Sequence, residues 1–363
     1  MDRVSRYSYI NAKLRARIGL MAGSSLLEDM IKAPNLSEAI AVLSGTKYDS
    51  LFETYSRTAD LQQVELELFI REIRLHEEII KALDDRTARF VKTLLEKTEI
   101  ENIKNAVRLW YSASVLHHSI SYRSAYIYKD RIVHDIDWSR IINALGWDDV
   151  RAAFRNTPYL TVFDRYDAQD ITRLGLFEFE IDLDHLWFDR LYGAMDLLDG
   201  ADREVALKVY GLDVDLKNII NLIRYGFYHS CDSSRLAHVF IHYGSLYGVL
   251  EKRLASGNFS IEEARDLIRR RYARVGELLG QMEVRGQLST GHSELAYGTL
   301  AIENYLAQQR RKEFTGILCA DPFTIGTILS YIYLCRSEDN TIKGILAAKY
   351  YNWSEEQIRR ELN

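Results

Sequence analysis

Proline is nearly missing from this 363-residue chain, which holds only Pro34, Pro158 and Pro322 against an average usage of roughly 5%. Proline removes an amide donor and clashes with the preceding turn, so its scarcity leaves room for many long helices. Cysteine is as scarce. Cys231, Cys319 and Cys335 are an odd number without C-x-x-C spacing; this excludes a disulfide-stapled scaffold and fits buried thiols in a reducing compartment. A basic excess is absent too: 47 Lys and Arg stand against 52 Asp and Glu, a formal net charge of −5. A general nucleic-acid binder is therefore not expected. No apolar run is long enough for a membrane span. The longest, Phe323–Cys335, makes about 20 Å of helix where the bilayer core needs roughly 30 Å; it reads as a core helix ahead of a surface pressed on another apolar body. The opening Met1–Asp2–Arg3–Val4–Ser5–Arg6 runs into a polar segment without an apolar signal core. The tripeptides Asn258–Ser260 and Asn352–Ser354 then lack the secretory context of glycosylation acceptors.

Motifs of chemistry are missing as well. Neither a Walker loop nor a G-x-G-x-x-G phosphate cradle occurs, and Ser44–Gly45–Thr46–Lys47 lacks the first glycine at the required spacing. There is no G-x-S-x-G elbow. His238 and His242 would share a helix face at i and i+4, yet the Glu of H-E-x-x-H is absent and no third ligand is near. They read as histidines edging a helix. His117 and His118, adjacent on a helix, would point to different sides. Arg269–Arg270–Arg271 and Arg310–Arg311–Lys312 read as solvated helix faces ahead of docking patches. No catalytic, cofactor-binding or metal-ligating residue is assigned, and no cofactor is expected.

What is present is helical periodicity. Leu61–Leu83 places apolar residues every three or four positions with charges between them. The same holds for Leu186–Leu198, Ile219–Phe227, Leu236–Leu254 and Ile261–Leu279. Ser119–Tyr128 and Arg131–Trp138 have no hairpin turn beside them and read as linkers or helix continuations. The fold class is all-α. Tyr is abundant, with 23 residues, and suits half-buried faces because its ring packs while its hydroxyl reaches a polar partner.

Three short signatures recur in fixed order. An acidic residue inside an apolar helix, followed by aromatics, appears at Glu67, Asp184 and Glu303, spaced 117 and 119 residues apart. This acid is read as a partner for a repeated Lys helix, or as a solvated position, rather than as a catalytic set. The Lys helix is carried by Asn11–Ala12–Lys13, Asn102–Ile103–Lys104, Leu216–Lys217–Asn218 and Ile342–Lys343. In the first two copies the spacing Asn-x-Lys-x-x-x-Arg is identical, ending on Arg17 and Arg108. The third signature is an apolar residue, then Ser, then a helix start, at Ser37, Ser139, Ser260 and Ser354. There the hydroxyl is expected to cap the first-turn amides, with Glu263 and Gln357 closing capping boxes. Asp321–Pro322–Phe323 has the form of a further start, Asp capping and Pro at the first helical position. The pattern amounts to three units plus a half, and fits a unit opening on either the acidic or the Lys helix. Starting from the N-terminal Lys helix, the units are 1–98, 99–213 and 214–363, the last with a C-terminal addition.

The opening Tyr9–Ile10–Asn11–Ala12–Lys13–Leu14–Arg15–Ala16–Arg17 resembles that of the C subunit of A-type ATP synthases and V-type ATPases, the family of the eukaryotic V-ATPase d subunit. Pro322–Phe323–Thr324–Ile325–Gly326, Glu338–Asp339–Asn340 and Trp353–Ser354–Glu355–Glu356–Gln357–Ile358 resemble that family's ending. The chain departs from it near Lys343, where Ile345–Ala348 is apolar in place of a more basic turn. The resemblance implies three helical-bundle repeats around a pseudo-threefold axis, forming a funnel. It implies a non-catalytic rotor component at the cytoplasmic face of the membrane, a socket between the rotating central shaft and the proteolipid ring. Expected partners are that ring and the shaft subunits, with no nucleic acid; which residues touch them is unassigned. The alternative reading is a cytosolic α-helical repeat adaptor unrelated to a rotary ATPase.

Overall fold

Apolar stripes and aspartate caps set out the long helices. A computed structural model describes residues 2–21, 24–119, 123–228, 233–255, 261–288 and 292–362. Seven long helices carry the frame: α1 (Arg3–Gly19), α2 (Leu61–Ile80), α3 (Asp85–Ser114), α4 (Phe177–Met195), α5 (Gly200–Asn221), α6 (His292–Ile317) and α7 (Gly326–Tyr350). Shorter helices fill the intervals, and no strand occurs among the described residues. Four of the seven start on an aspartate whose carboxylate accepts a first-turn amide: Asp2 from Ser5, Asp60 from Gln62, Asp84 from Arg86 and Thr87, Asp199 from Asp202. Each such cap contributes about 1 kcal/mol.

The chain divides into two compact units, Met1–Leu198 with Pro322–Asn363, and Asp199–Asp321. In the first, Met30, Ile40, Leu43, Val64 and Leu68 pack with Ile342, Ile345 and Leu346 of α7. The apolar turn after Lys343 is thus core. Farther along the same unit, Phe163 stacks on Phe154 with ring centres 4.0 Å apart and meets Trp147 at 5.4 Å and Phe179 at 4.9 Å. Burying each large side chain of this kind contributes roughly 1.5–3 kcal/mol. In the second unit, Leu216, Ile219, Phe240, Leu250, Ile302 and Leu306 form a separate core.

Several expected elements end differently. The run 236–254 is two helices, Ser233–Val239 and Gly244–Ala255. Gly244 turns the chain at φ +83°, and a Cβ there would lie 2.4 Å from Asp215 Oδ1, so only glycine fits without displacing that carboxylate. The run 261–279 breaks at Tyr272 into Ile261–Arg271 and Ala273–Leu288. These two helices approach so closely that a Cβ on Gly276 would lie 2.5 Å from Arg269 Cβ. Residues 219–227 pass from α5 into a π-helical stretch, Leu222–Tyr228.

The serine caps are corrected at two sites. Asn35 caps the helix Leu36–Ala41, and Asp137 caps Trp138–Ile142, because their carbonyl and carboxylate oxygens reach the first-turn amides before Ser37 and Ser139. Ser354 does form the expected box: Gln357 N donates to its hydroxyl at 3.3 Å and its own amide donates to Gln357 Oε1 at 2.8 Å. Ser260, Asn258 and Cys231 lie outside the described residues. Asp321–Pro322 does not start α7, which begins at Gly326 after Ile325; the Pro322 carbonyl instead accepts from the Asn11 amide. His117 and His118 follow the end of α3, His117 in the left-handed region at φ +55°.

Candidate functional site

Three pairs of long helices meet along charged seams. In the first unit α3 packs against α4, and α7 against α2; in the second unit α5 packs against α6. All three pairs run antiparallel. Along α3, Lys97 and Lys104 both reach Asp184 of α4, at 2.6 and 2.8 Å, and Arg108 takes Glu180 with its Nε at 2.6 Å. Arg190 of α4 returns to Glu96, its Nε donating at 2.6 Å. Along α7, Arg336 reaches Glu72 at 3.2 Å and Lys343 reaches Glu65 at 3.1 Å on α2. In the second unit Lys208 pairs with Glu313, Asp213 with Arg310 at 3.0 Å, and Arg224 with Glu303 at 2.8 Å.

The repeated acids therefore face basic helices, as expected, at Asp184 and Glu303. At the first copy the geometry differs: Lys343 contacts Glu65, while Glu67 lies 3.5 Å from Arg74 of its own helix. Burial opposes ionisation of Asp184, but Lys97 and Lys104 outweigh it and hold the carboxyl well below the usual range. Arg310 belongs to a seam and so corrects the reading of 310–312 as a wholly solvated face. The Asn-x-Lys-x-x-x-Arg pattern does one job in both copies. Asn11 donates to the carbonyls of Pro322 and Thr324, while Lys13 and Arg17 share Glu78, whose pKa falls to about 2 under the Arg17 and Lys13 hydrogen bonds. Asn102 donates to the Tyr128 carbonyl at 2.8 Å and accepts its amide, while Lys104 and Arg108 take Asp184 and Glu180.

The counterpart of Asn102 in the second unit is Asn218, which clasps Ile241 the same way, donating at 3.0 Å and accepting at 2.8 Å. That spacing of 116 residues also aligns Glu99 with Asp215 and Arg108 with Arg224. Lys217 therefore stands three residues out of register with Lys104. Each acid in this register accepts a tyrosine hydroxyl: Glu99 from Tyr159 at 2.7 Å and Asp215 from Tyr272 at 2.9 Å. On α7, Asp339 accepts from Tyr48 at 2.8 Å.

His238 ends one helix and His242 lies in the segment after it, stacked on Tyr247 with ring centres 4.9 Å apart. They do not share a helix face. No group of three or more His, Cys, Asp or Glu placed to hold a metal ion occurs among the described residues. A cavity of about 580 Å³ in the second unit lies between Gly244–Ala255 and Ile261–Arg271, lined by Arg253, Arg270 and Arg271 with Glu263 and Asp266. Its cations and carboxylates are interspersed, and Arg253 lies 3.6 Å from Glu263. Among the described residues, no helix is long and apolar enough to cross a membrane.

The model of the ATP synthase (C/AC39) subunit family matches residues 10–361. The chain belongs to that family. It is 23% identical over 216 residues to a protein of Methanosarcina barkeri named as the C subunit of an A-type ATP synthase, covering 60% of this chain and 54% of that one. It is 21% identical over 339 residues to the protein of the same name from Pyrococcus abyssi, covering 93% and 85%. The match thus spans about half the length of the first relative and most of the second. Membership leaves the unrelated-adaptor reading without support.

The three tyrosines that bond the carboxylates of Glu99, Asp215 and Asp339 lie outside the seven long helices and carry no local sequence mark. Tyr48, Tyr159 and Tyr272 are spaced 111 and 113 residues apart. That regularity is a signal, hidden among 23 tyrosines.

Proposed function

We propose that this chain is a non-catalytic central-stalk component of a V/A-type rotary ATPase, a socket that couples the rotating shaft to the membrane proteolipid ring on the cytoplasmic face. The observation that carries the reading is the family match over residues 10–361, together with relatives named as the C subunit of A-type ATP synthases. The seams support it. Chain order joins α2 to α3, α4 to α5 and α6 to α7; packing lays α3 on α4, α5 on α6 and α7 on α2. Each unit's second helix lies against the next unit's first helix, and the last returns to the first. Three related helix pairs joined this way are compatible with a threefold repeat, but the boundaries of the proposed units 1–98, 99–213 and 214–363 cut α3 and α5. The pattern favours the phase in which each long Lys-bearing helix stays whole, since α3 and α5 run through 98/99 and 213/214.

A part that transmits torque needs stiffness, and antiparallel helices tied by multiple charge-assisted hydrogen bonds supply it. The chemistry of ATP and of the ion then belongs to other subunits. Reconstituting the rotary complex with and without this chain tests the reading. Without it, the head is expected to hydrolyse ATP while ion transport stops; ion transport that persists at the full rate overturns the proposal.

A further inference from the structure

Three tyrosines make the same bond, but their acceptors are held differently. Glu99 is fully buried and also accepts the amides of Val133 and His134, both at 2.8 Å. The His134 ring nitrogen lies 2.7 Å from the other Glu99 carboxylate oxygen. Asp215 is buried as well and accepts the Leu246 amide at 2.9 Å and the Ser245 hydroxyl. Asp339 is half-buried, and among the described residues no backbone amide donates to it.

The two cations that act on Asp339, Arg71 and Lys47, make their own bonds elsewhere, as do the other cations beside α7. Arg71 of α2 donates to the Lys47 carbonyl at 2.8 Å and lies 4.5 Å over the Tyr48 ring. Lys47 pairs with Glu338, Arg336 with Glu72, and Arg17 of α1 with Glu78. Cys335 and Glu338 of α7 itself complete the surroundings, and burial lifts the Cys335 thiol to about 11. The short helices Ser24–Lys32 and Leu36–Ala41 meet α7 through the apolar cluster of Met30, Ile31 and Ile40 with Ile342 and Ile345. Glu28 of the first is paired with Arg359 of the helix Glu355–Leu362, at 2.7 Å.

We propose that the Tyr48–Asp339 pair is a proton-sensitive clasp, the member of three equivalent tyrosine–carboxylate bonds that is built to loosen, holding residues 43–58 against α7. Tyr48 is itself fully buried and sits 291 residues away in sequence, so the bond joins an early and a late stretch of the chain. Burial, with Glu338 adding to it, lifts Asp339 from 3.8 to about 6, against the pull of the Tyr48 hydroxyl, Arg71 and Lys47. The folded clasp therefore binds a proton more tightly than the opened one. Its contribution is full below the ordinary value and is lost as pH rises through about 6.

Hydrogen–deuterium exchange on the purified full chain tests this, with rates corrected for intrinsic pH dependence. Protection of residues 43–58 and 331–345 is expected to fall about tenfold between about pH 5 and 7.5. Asp339→Asn, which keeps an acceptor and removes the charge, is expected to be level across that range and as protected at the upper pH as wild type is at the lower. Tyr48→Phe removes the hydroxyl that steadies the anion, so its fall should be steeper than wild type. Wild-type protection that stays level, an Asp339→Asn protein that keeps the tenfold fall, or a Tyr48→Phe profile matching wild type each overturns the proposal.

Discussion

The α3–α4 and α2–α7 seams follow one plan at different depths. Lys97 and Lys104, which share Asp184, are 13% and 6% exposed, whereas Lys343 and Arg336 on α7 are 50% and 41% exposed. Charges withdrawn from water have to be matched by a partner. Charges left in water are matched by the solvent, and the partner adds little. Depth, more than the number of ion pairs, therefore decides which seam carries stability.

The largest effect is expected from Asp184→Ala, which strands the buried Lys104 ammonium and leaves Lys97 only Glu101, at 2.9 Å; the loss should be about 3 kcal/mol, read from the denaturant midpoint. A smaller loss from that variant than from any change in the α2–α7 seam would break the comparison. The same carboxylate has an acid signature. Because Lys97 and Lys104 hold it below its ordinary 3.8, its contribution is complete above about pH 4 and fades as pH falls further. Acid titration of wild type against Asp184→Ala should then show the two stabilities converging at low pH. Tyr159→Phe comes next. It takes one donor from the buried Glu99 carboxylate and leaves the two amides and the His134 ring nitrogen, for a loss of about 2 kcal/mol by the same measurement. The smallest effect belongs to Lys343→Ala. Its pairing with Glu65 is solvent-screened, and a shift within about 0.5 kcal/mol is expected; a shift as large as that of Asp184→Ala would show that depth is not what separates the seams.

Much of this architecture is legible in the residues. Scarce proline and a steady three-to-four period lead to an all-helical chain, and the recurrence of an acid at Asp184 and Glu303 leads to its basic partners. Asn-x-Lys-x-x-x-Arg was readable because its three side chains do the same work in α1 and α3. The tyrosine bonds were not readable in the same way, since Tyr48 and Asp339 meet across 291 residues and nothing local marks either one. The breaks at 240–243 and at Tyr272 were hidden for another reason. Apolar periodicity continues through both, while the tight approaches that follow, of Gly244 to Asp215 and of Gly276 to Arg269, are made across sequence and leave no periodic mark. Capping was misread at Ser37 and Ser139 because Asn35 and Asp137, two residues earlier, are at least as good at the same task.

Co-purification tests the central claim most directly. The purified chain would be mixed, in separate experiments, with a detergent-solubilised proteolipid ring and with the central-shaft subunits of a rotary ATPase. The account predicts a stable complex with each, one copy of this chain per ring. Failure to associate with either would contradict it.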